Sequence, residues 1–130
     1  MFNEVFGEVS FETGWRSKTE ILLWGEIYEI MVDVEAYFES EGITTEQEAS
    51  YTNFNNLKSE KQKITESLLL DYYENQLNED QFRKQLTPTA LIISRDGGFA
   101  LLFRDSEDLD NGLAVVLSPT EEVMSQDEYL

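Results

Sequence analysis

"TALIISRDGGFALLFRDSEDLDNGLAVVLSP", Thr89 to Pro119, decides how the chain folds. Asp96-Gly97 lies between two apolar runs, and Asp-Gly so flanked is the strongest short-range signal for a β-hairpin. A two-residue loop there pairs Arg95 with Gly98 and Ser94 with Phe99. The runs are apolar on both faces, with Leu91 and Ile93 on one and Ala90 and Ile92 on the other. "GLAVVL", Gly112–Leu117, is equally continuous. Strands of this kind are expected at the centre of a sheet, covered on both sides. The acidic segment Asp105, Glu107, Asp108 and Asp110 then becomes a strand connection, with Asn111-Gly112 supplying the turn.

Toward the N-terminus the period shifts to that of a helix. "EGITTEQ" ends a strand at Gly42, and Thr44 with Gln47 three residues on fits a capping box. Tyr51, Phe54 and Leu57, then Ile64, Leu68 and Tyr72, recur at helical spacing. Asn55, Asn56 and Ser59 favour a break, so two helices are expected, Thr45–Leu57 and Glu60–Asn75. A short third helix, capped by Asn78, stops before Pro88. The first third alternates with period two: Tyr28, Ile30, Val32, Val34 and Ala36 fall on one side, with Ile21 and Leu23 inward on the strand before. The expected fold is α+β, one domain over residues 1–130. Three N-terminal and three C-terminal strands form an antiparallel sheet, with the central helical segment packed on it.

The chain has 130 residues, 41% of them hydrophobic and 12% aromatic, too apolar for disorder despite its charge. Surface scaling predicts ~7,000 Å² exposed when folded against ~22,000 Å² unfolded. Histidine and cysteine are absent, which removes His acid–base catalysis, thiol nucleophiles, Ser–His triads and Cys/His zinc sites. "RDGGFA" lacks the lysine of a phosphate loop and leads into a strand rather than a helix. If Gly112 were the sixth residue of an EF-hand loop, Leu109 would be third and Ser118 twelfth, which breaks the pattern. No cofactor or metal is therefore expected. "MFNEVFGEVSFE" lacks the basic and apolar segments of a signal peptide, and no run nears the ~20 apolar residues of a membrane span. A cytoplasmic location is the expectation.

Nine basic residues face 27 acidic ones, a net charge of -18. Phosphate backbones need clustered Lys and Arg, and anionic membranes repel acid, so neither nucleic acid nor membrane is an expected partner. A basic protein partner would be steered in. Glu4–Glu48 carries twelve carboxylates against Arg16 and Lys18, and Arg104–Leu130 eight against Arg104 alone. Glu8, Glu12, Glu20, Glu29, Asp33 and Glu35 fall on the non-core side of their strands. With Asp105, Glu107, Asp108 and Asp110 they make up the candidate partner-binding surface; its plain alternative is a solvated face and loop. Trp15 lies in a turn and Trp24 on an outward position, where tryptophan either anchors an interface or packs beneath a neighbouring segment. The tail "EEVMSQDEYL" is either a loose end or a segment docked through Val123, Met124, Tyr129 and Leu130.

Through "LLWGEIYEIMVDV", "ITESLLLDYYENQ" and "LTPTALIISRDGGFALLFRD…NGLAVVLSP" with its "SQDEYL" tail, the chain resembles an uncharacterised family of small acidic bacterial cytosolic domains. Similar domains occur among candidate immunity proteins of bacterial toxin systems. The resemblance implies no catalytic residues. It points to a non-enzymatic protein-binding domain, of the kind that neutralises a basic toxin. Two alternatives stand beside it: a carboxylate- or metal-dependent hydrolase, and a structural or self-associating module of undetermined oligomeric state.

Overall fold

Residues 89–119 form the middle of a large sheet in the computed structural model, which describes every residue from Met1 to Leu130. In chain order the strands are β1 (Phe2–Asn3), β2 (Gly7–Glu8), β3 (Ser10–Phe11), β4 (Trp15–Leu23) and β5 (Glu26–Val34). Helices α1 (Thr45–Asn56), α2 (Lys58–Tyr72) and α3 (Glu79–Gln85) follow. Then come β6 (Leu86–Ile93), β7 (Phe99–Asp105), β8 (Leu113–Ser118), β9 (Glu122–Ser125) and a final turn of helix, α4 (Gln126–Tyr129). β1 and β2 pair alone, and β3 to β9 form one seven-stranded sheet in sequence order. The fold is α+β and mostly antiparallel. It departs from the expected three-plus-three split: five strands precede the helices and four follow, and β5 pairs with β6 in parallel.

That parallel pair follows from the connection. Three helices lie between β5 and β6, and a crossover of that length returns the chain in its starting direction. Gln47, wholly buried, fastens the junction. Its Nε2 donates to the carbonyls of Glu35 (2.9 Å) and Ile93 (3.2 Å), just past the ends of β5 and on β6, while its Oε1 accepts from Thr44 N–H (2.9 Å). The expected capping box at Thr44 is therefore present, and its Gln47 also ties the two strands together. The second box, Asn78 with Gln81, starts α3.

Boundaries moved where side chains compete with backbone. α2 begins at Lys58 without a side-chain cap, so Ser59 does not cap it. It ends at Tyr72, because Glu74 and Asn75 take positive φ and turn the chain out. β6 begins at Leu86 and passes through Pro88, whose missing N–H is tolerated next to the register shift between Pro88 and Ala90. The β6–β7 hairpin has three loop residues, not two. Ser94 and Gly98 close it (Ser94 N–H to Gly98 O, 2.8 Å), and Ile93 pairs with Phe99. Gly97 sits at φ 96° against Ser50 Oγ and Glu46 O of α1, and a side chain there has no room. A three-residue loop closed by a glycine at positive φ suits the sheet's twist as well as the two-residue turn does.

One face of the sheet carries Ile21, Leu23, Ile30, Val32, Val34, Leu91, Leu101, Phe103 and Val115, packed against Tyr51, Phe54, Leu69 and Phe82 of the helices. α2 touches β4 near one edge and β8 and β9 near the other, so the sheet wraps around it. Gln62 Oε1 accepts the edge N–H of Leu22 (2.7 Å), Glu66 Oε2 that of Trp24 (2.6 Å), and Lys58 Nζ donates to Thr19 Oγ1 (3.0 Å). Helix side chains thus occupy the open edge of β4, which would otherwise template pairing with another chain. The folded chain exposes 7298 Å², close to the scaling expectation.

The convex face is different. Ile92, Ala100 and Val116 form a second, small buried cluster covered by Leu102, Met124 and Tyr129, and no residue of α1 to α3 joins it. The expectation that the central strands are covered on both sides holds only here, where the C-terminal tail provides the cover. Val123 packs on the main core, Met124 and Tyr129 on the convex cluster, and Leu130 stays exposed. No helix is long and apolar enough to cross a membrane.

Candidate functional site

Strand register places the candidate carboxylates, and it divides them. On the convex side of the β4–β5 hairpin the cross-strand pairs run Arg16–Asp33, Lys18–Met31, Glu20–Glu29 and Leu22–Ile27. Glu20 and Glu29 are exposed and directly opposite each other. Like charges so placed cost ~0.2–1 kcal/mol relative to neutral residues. Lys18 Nζ offsets only part of this, at 3.6 Å from Glu29 Oε1. One step nearer the hairpin tip, Leu22 and Ile27 are 47% and 67% exposed.

Glu8 and Glu12 stand apart. Glu8 lies on the small sheet and pairs with the Met1 ammonium at 3.0 Å, and Glu12 pairs with Arg16 at 3.0 Å. They line a cleft of about 740 Å³ with Arg16, Lys18 and Glu29. Its walls carry both signs of charge.

Asp33 and Glu35 lie at the far end of β5, half-buried and in no ion pair or side-chain hydrogen bond. Burial raises the Asp33 carboxyl above its usual range, with Arg16 opposing the shift. Burial, then the charges of Asp33 and Asp96, raises Glu35. Tyr129 shares a recess of about 280 Å³ with Glu35 and Asp96, and burial followed by those two carboxylates raises its phenol. Asp96 is pulled down instead, because it accepts from Ser94 Oγ at 2.6 Å and from Gly98 N–H at 3.0 Å.

The C-terminal acidic stretch sits at the opposite end of the sheet. Leu86 pairs with Asp105 while Ile93 pairs with Phe99, so the two ends of β6 are about 23 Å apart at strand spacing. Glu107, Asp108 and Asp110, exposed with Leu109 between them, therefore share the hairpin-tip end with Leu22 and Ile27, not the end holding Asp33 and Glu35. Asp105 leaves the candidate surface altogether. It is 6% exposed and accepts from Glu107 N–H (2.9 Å), Gln85 Nε2 (3.2 Å) and Tyr73 O–H (3.4 Å). Burial and the Asp105 charge push the Tyr73 phenol up. Asp105 is a loop anchor, which its place in an acidic run concealed. Nowhere are three or more carboxylates assembled in a way that could hold a metal ion.

Residues 5–129 match the family described as Domain of unknown function (DUF6985). The chain belongs to the DUF6985 family. No curated protein and no solved structure matches it. Features of this DUF6985 domain must therefore be read from its own residues.

Both tryptophans are buried, Trp15 and Trp24 each 3% exposed. Trp24, expected on an outward position, instead occupies the first loop position of the β4–β5 hairpin at φ 51°, followed by Gly25 at φ 76°. Two positive φ values make a type I′ turn, which ordinarily selects Asn, Asp or Gly first. A left-handed residue with a bulky side chain costs roughly 1–2 kcal/mol. The ring recovers this by stacking on Phe82 (centroids 5.2 Å, planes 2° apart) and meeting Phe103 at 6.2 Å. Its backbone N–H goes to Glu66, and its carbonyl accepts from Arg83. Trp24 thus locks the hairpin tip, and the Leu22–Ile27 pair it carries, onto α2 and α3.

Proposed function

We propose that this domain is a non-enzymatic protein-binding module whose convex acidic face receives a basic protein. The partner fitting the family resemblance is a basic toxin, which the domain neutralises as an immunity protein. The observation that carries the reading is the Glu20–Glu29 pair. Two carboxylates face each other on an exposed strand pair, at a cost to the fold, beside an exposed apolar pair. A basic partner turns that cost into attraction and steers its own approach.

The test compares the wild-type domain with the double variant Glu20→Gln/Glu29→Gln, which also removes the like-charge pair. Each is immobilised and challenged with extract of the native cell at low salt, and retained proteins are eluted by raising salt and identified. The purified partner is then assayed for toxicity with and without the domain. The expected result is a basic protein held by the wild type, released by salt, lost by the variant, and inactive when bound. Retention of no basic protein, or equal retention by both forms, overturns the reading.

A further inference from the structure

We infer that the tip of the β4–β5 hairpin is the anchor of that docking surface. It receives an apolar side chain flanked by lysine or arginine on an amphipathic segment of the partner. This rests on the proposed basic partner and adds where, and through what chemistry, contact is made.

Leu22 and Ile27 are opposed across the strand pair and remain 47% and 67% exposed on the face opposite α1 to α3. Carboxylates outnumber bases near them. Glu20 and Glu29 lie one register step inward, Glu26 follows the turn, and Glu107, Asp108 and Asp110 occupy the same end of the sheet. An apolar centre with a charged rim is the usual arrangement of a binding patch. The rim here carries one dominant sign, which specifies a cationic surround on the partner.

The platform is rigid. The hairpin tip is held through the Trp24–Phe82 stack, the Glu66 and Gln62 contacts to backbone N–H groups, and Arg83 on the Trp24 carbonyl. Little ordering is therefore left to be done on binding. The other acidic groups fit less well. Glu8 and Glu12 are already paired, and Asp33 and Glu35 are half-buried, with the exposed Tyr37 and Phe38 on the loop beyond them rather than on the strand pair. A second copy of the chain is disfavoured, since apposed tips would bring the Glu20 and Glu29 rims against each other.

The test uses two synthetic peptides of equal length and equal positive charge, one with leucine at i, i+3, i+4 and i+7 among lysines, the spacing of one helix face, and one with serine at those positions. Each is titrated into the labelled domain while backbone amide shifts are followed. The expected result is at least tenfold tighter binding of the Lys/Leu peptide, with shifts centred on Leu22 and Ile27. The variant Leu22→Ser/Ile27→Ser should abolish that preference while keeping its melting temperature, because both side chains are exposed. Equal affinity of the two peptides, or shifts centred on Asp33 and Glu35, would overturn the anchor while leaving an acidic docking face intact. Binding of neither peptide at low salt would overturn the anchor and the basic-partner reading together. Concentration-dependent dimerisation of the wild type, lost in the Ser/Ser variant, would assign the patch to a second copy instead.

Discussion

Replacing Gln47 tests what holds the one parallel strand pair in the sheet. Gln47→Leu keeps the side chain's bulk and deletes three hydrogen bonds, two to the carbonyls of Glu35 and Ile93 and one from Thr44 N–H. Ile93 O keeps Glu35 N–H at 2.9 Å and Glu35 O keeps Arg95 Nη1 at 3.3 Å, so Thr44 N–H loses its acceptor outright. Two net hydrogen bonds at ~0.5–1.5 kcal/mol and one orphaned donor at ~1–3 kcal/mol, less the gain from burying leucine, give a loss of about 3 kcal/mol. Unfolding entropy scales to roughly 0.27 kcal/mol per K for a chain of this length, so Tm should fall by about 11 °C. Gln47→Glu sharpens the test, because it sets a carboxyl oxygen against two carbonyl oxygens. That carboxyl is favoured in the fold only while protonated, which raises its folded pKa above the unfolded value. Its contribution is fully present below the usual Glu range and is lost as pH rises through the raised value. The Glu variant should therefore approach the wild type in acid and fall away toward neutral pH. Chemical denaturation from pH 4 to 8 measures both. A Leu variant within about 0.5 kcal/mol of the wild type, typical of an inert surface substitution, or a Glu variant without pH dependence, would refute the reasoning.

Other expectations follow from single contacts. Trp24→Gly relieves the left-handed strain of ~1–2 kcal/mol but forfeits aromatic burial of ~3–5 kcal/mol; denaturant melts should show a net loss of about 2–3 kcal/mol, and a stabilised variant would contradict the stacking account. Gly97→Ala forces a Cβ against Ser50 Oγ at 2.9 Å and Glu46 O at 3.1 Å at φ 96°, and should cost ~1–3 kcal/mol by the same assay. Asp33 and Glu35 have raised folded pKa values, so their protonated forms favour the fold and that contribution is lost as pH rises through them. Glu35→Gln should accordingly stabilise the domain at neutral pH, and the gain should vanish in acid; an equal gain at both would point elsewhere.

Local chemistry made much of the chain legible. The capping box at Thr44, the cap at Asn78, the inward set Tyr28 to Ala36, the hairpin at Asp96-Gly97 and the apolar central strands all follow from periods and turn residues that act over a few positions. Boundaries were less legible. The start of β6 was hidden behind Pro88 because a proline suits an interior strand only beside a bulge, and the bulge is a property of the paired strands. The acidic surface was legible as composition but not as geometry. Ten carboxylates looked equivalent by charge, yet register and loop direction sent Asp105 inward, gave Glu8 and Glu12 cationic partners, and parted Asp33 and Glu35 from Glu107, Asp108 and Asp110. Trp24 was misplaced because strand alternation carries no information about a turn that begins on that residue.

By itself the sequence determined the α+β class, the helical middle, the absence of histidine and cysteine, and a strongly negative net charge. These depend on residue type and on near neighbours. Only the tertiary structure decided that β5 and β6 run parallel, that α2 fills the curl of the sheet and occupies the edge of β4, and that Glu20, Glu29, Leu22 and Ile27 share one exposed tip. The first two join residues far apart in the chain, and the last rests on the register of one hairpin. Their contact depends on which strands pair and in what register, and hydrophobic period is the same for a parallel as for an antiparallel neighbour.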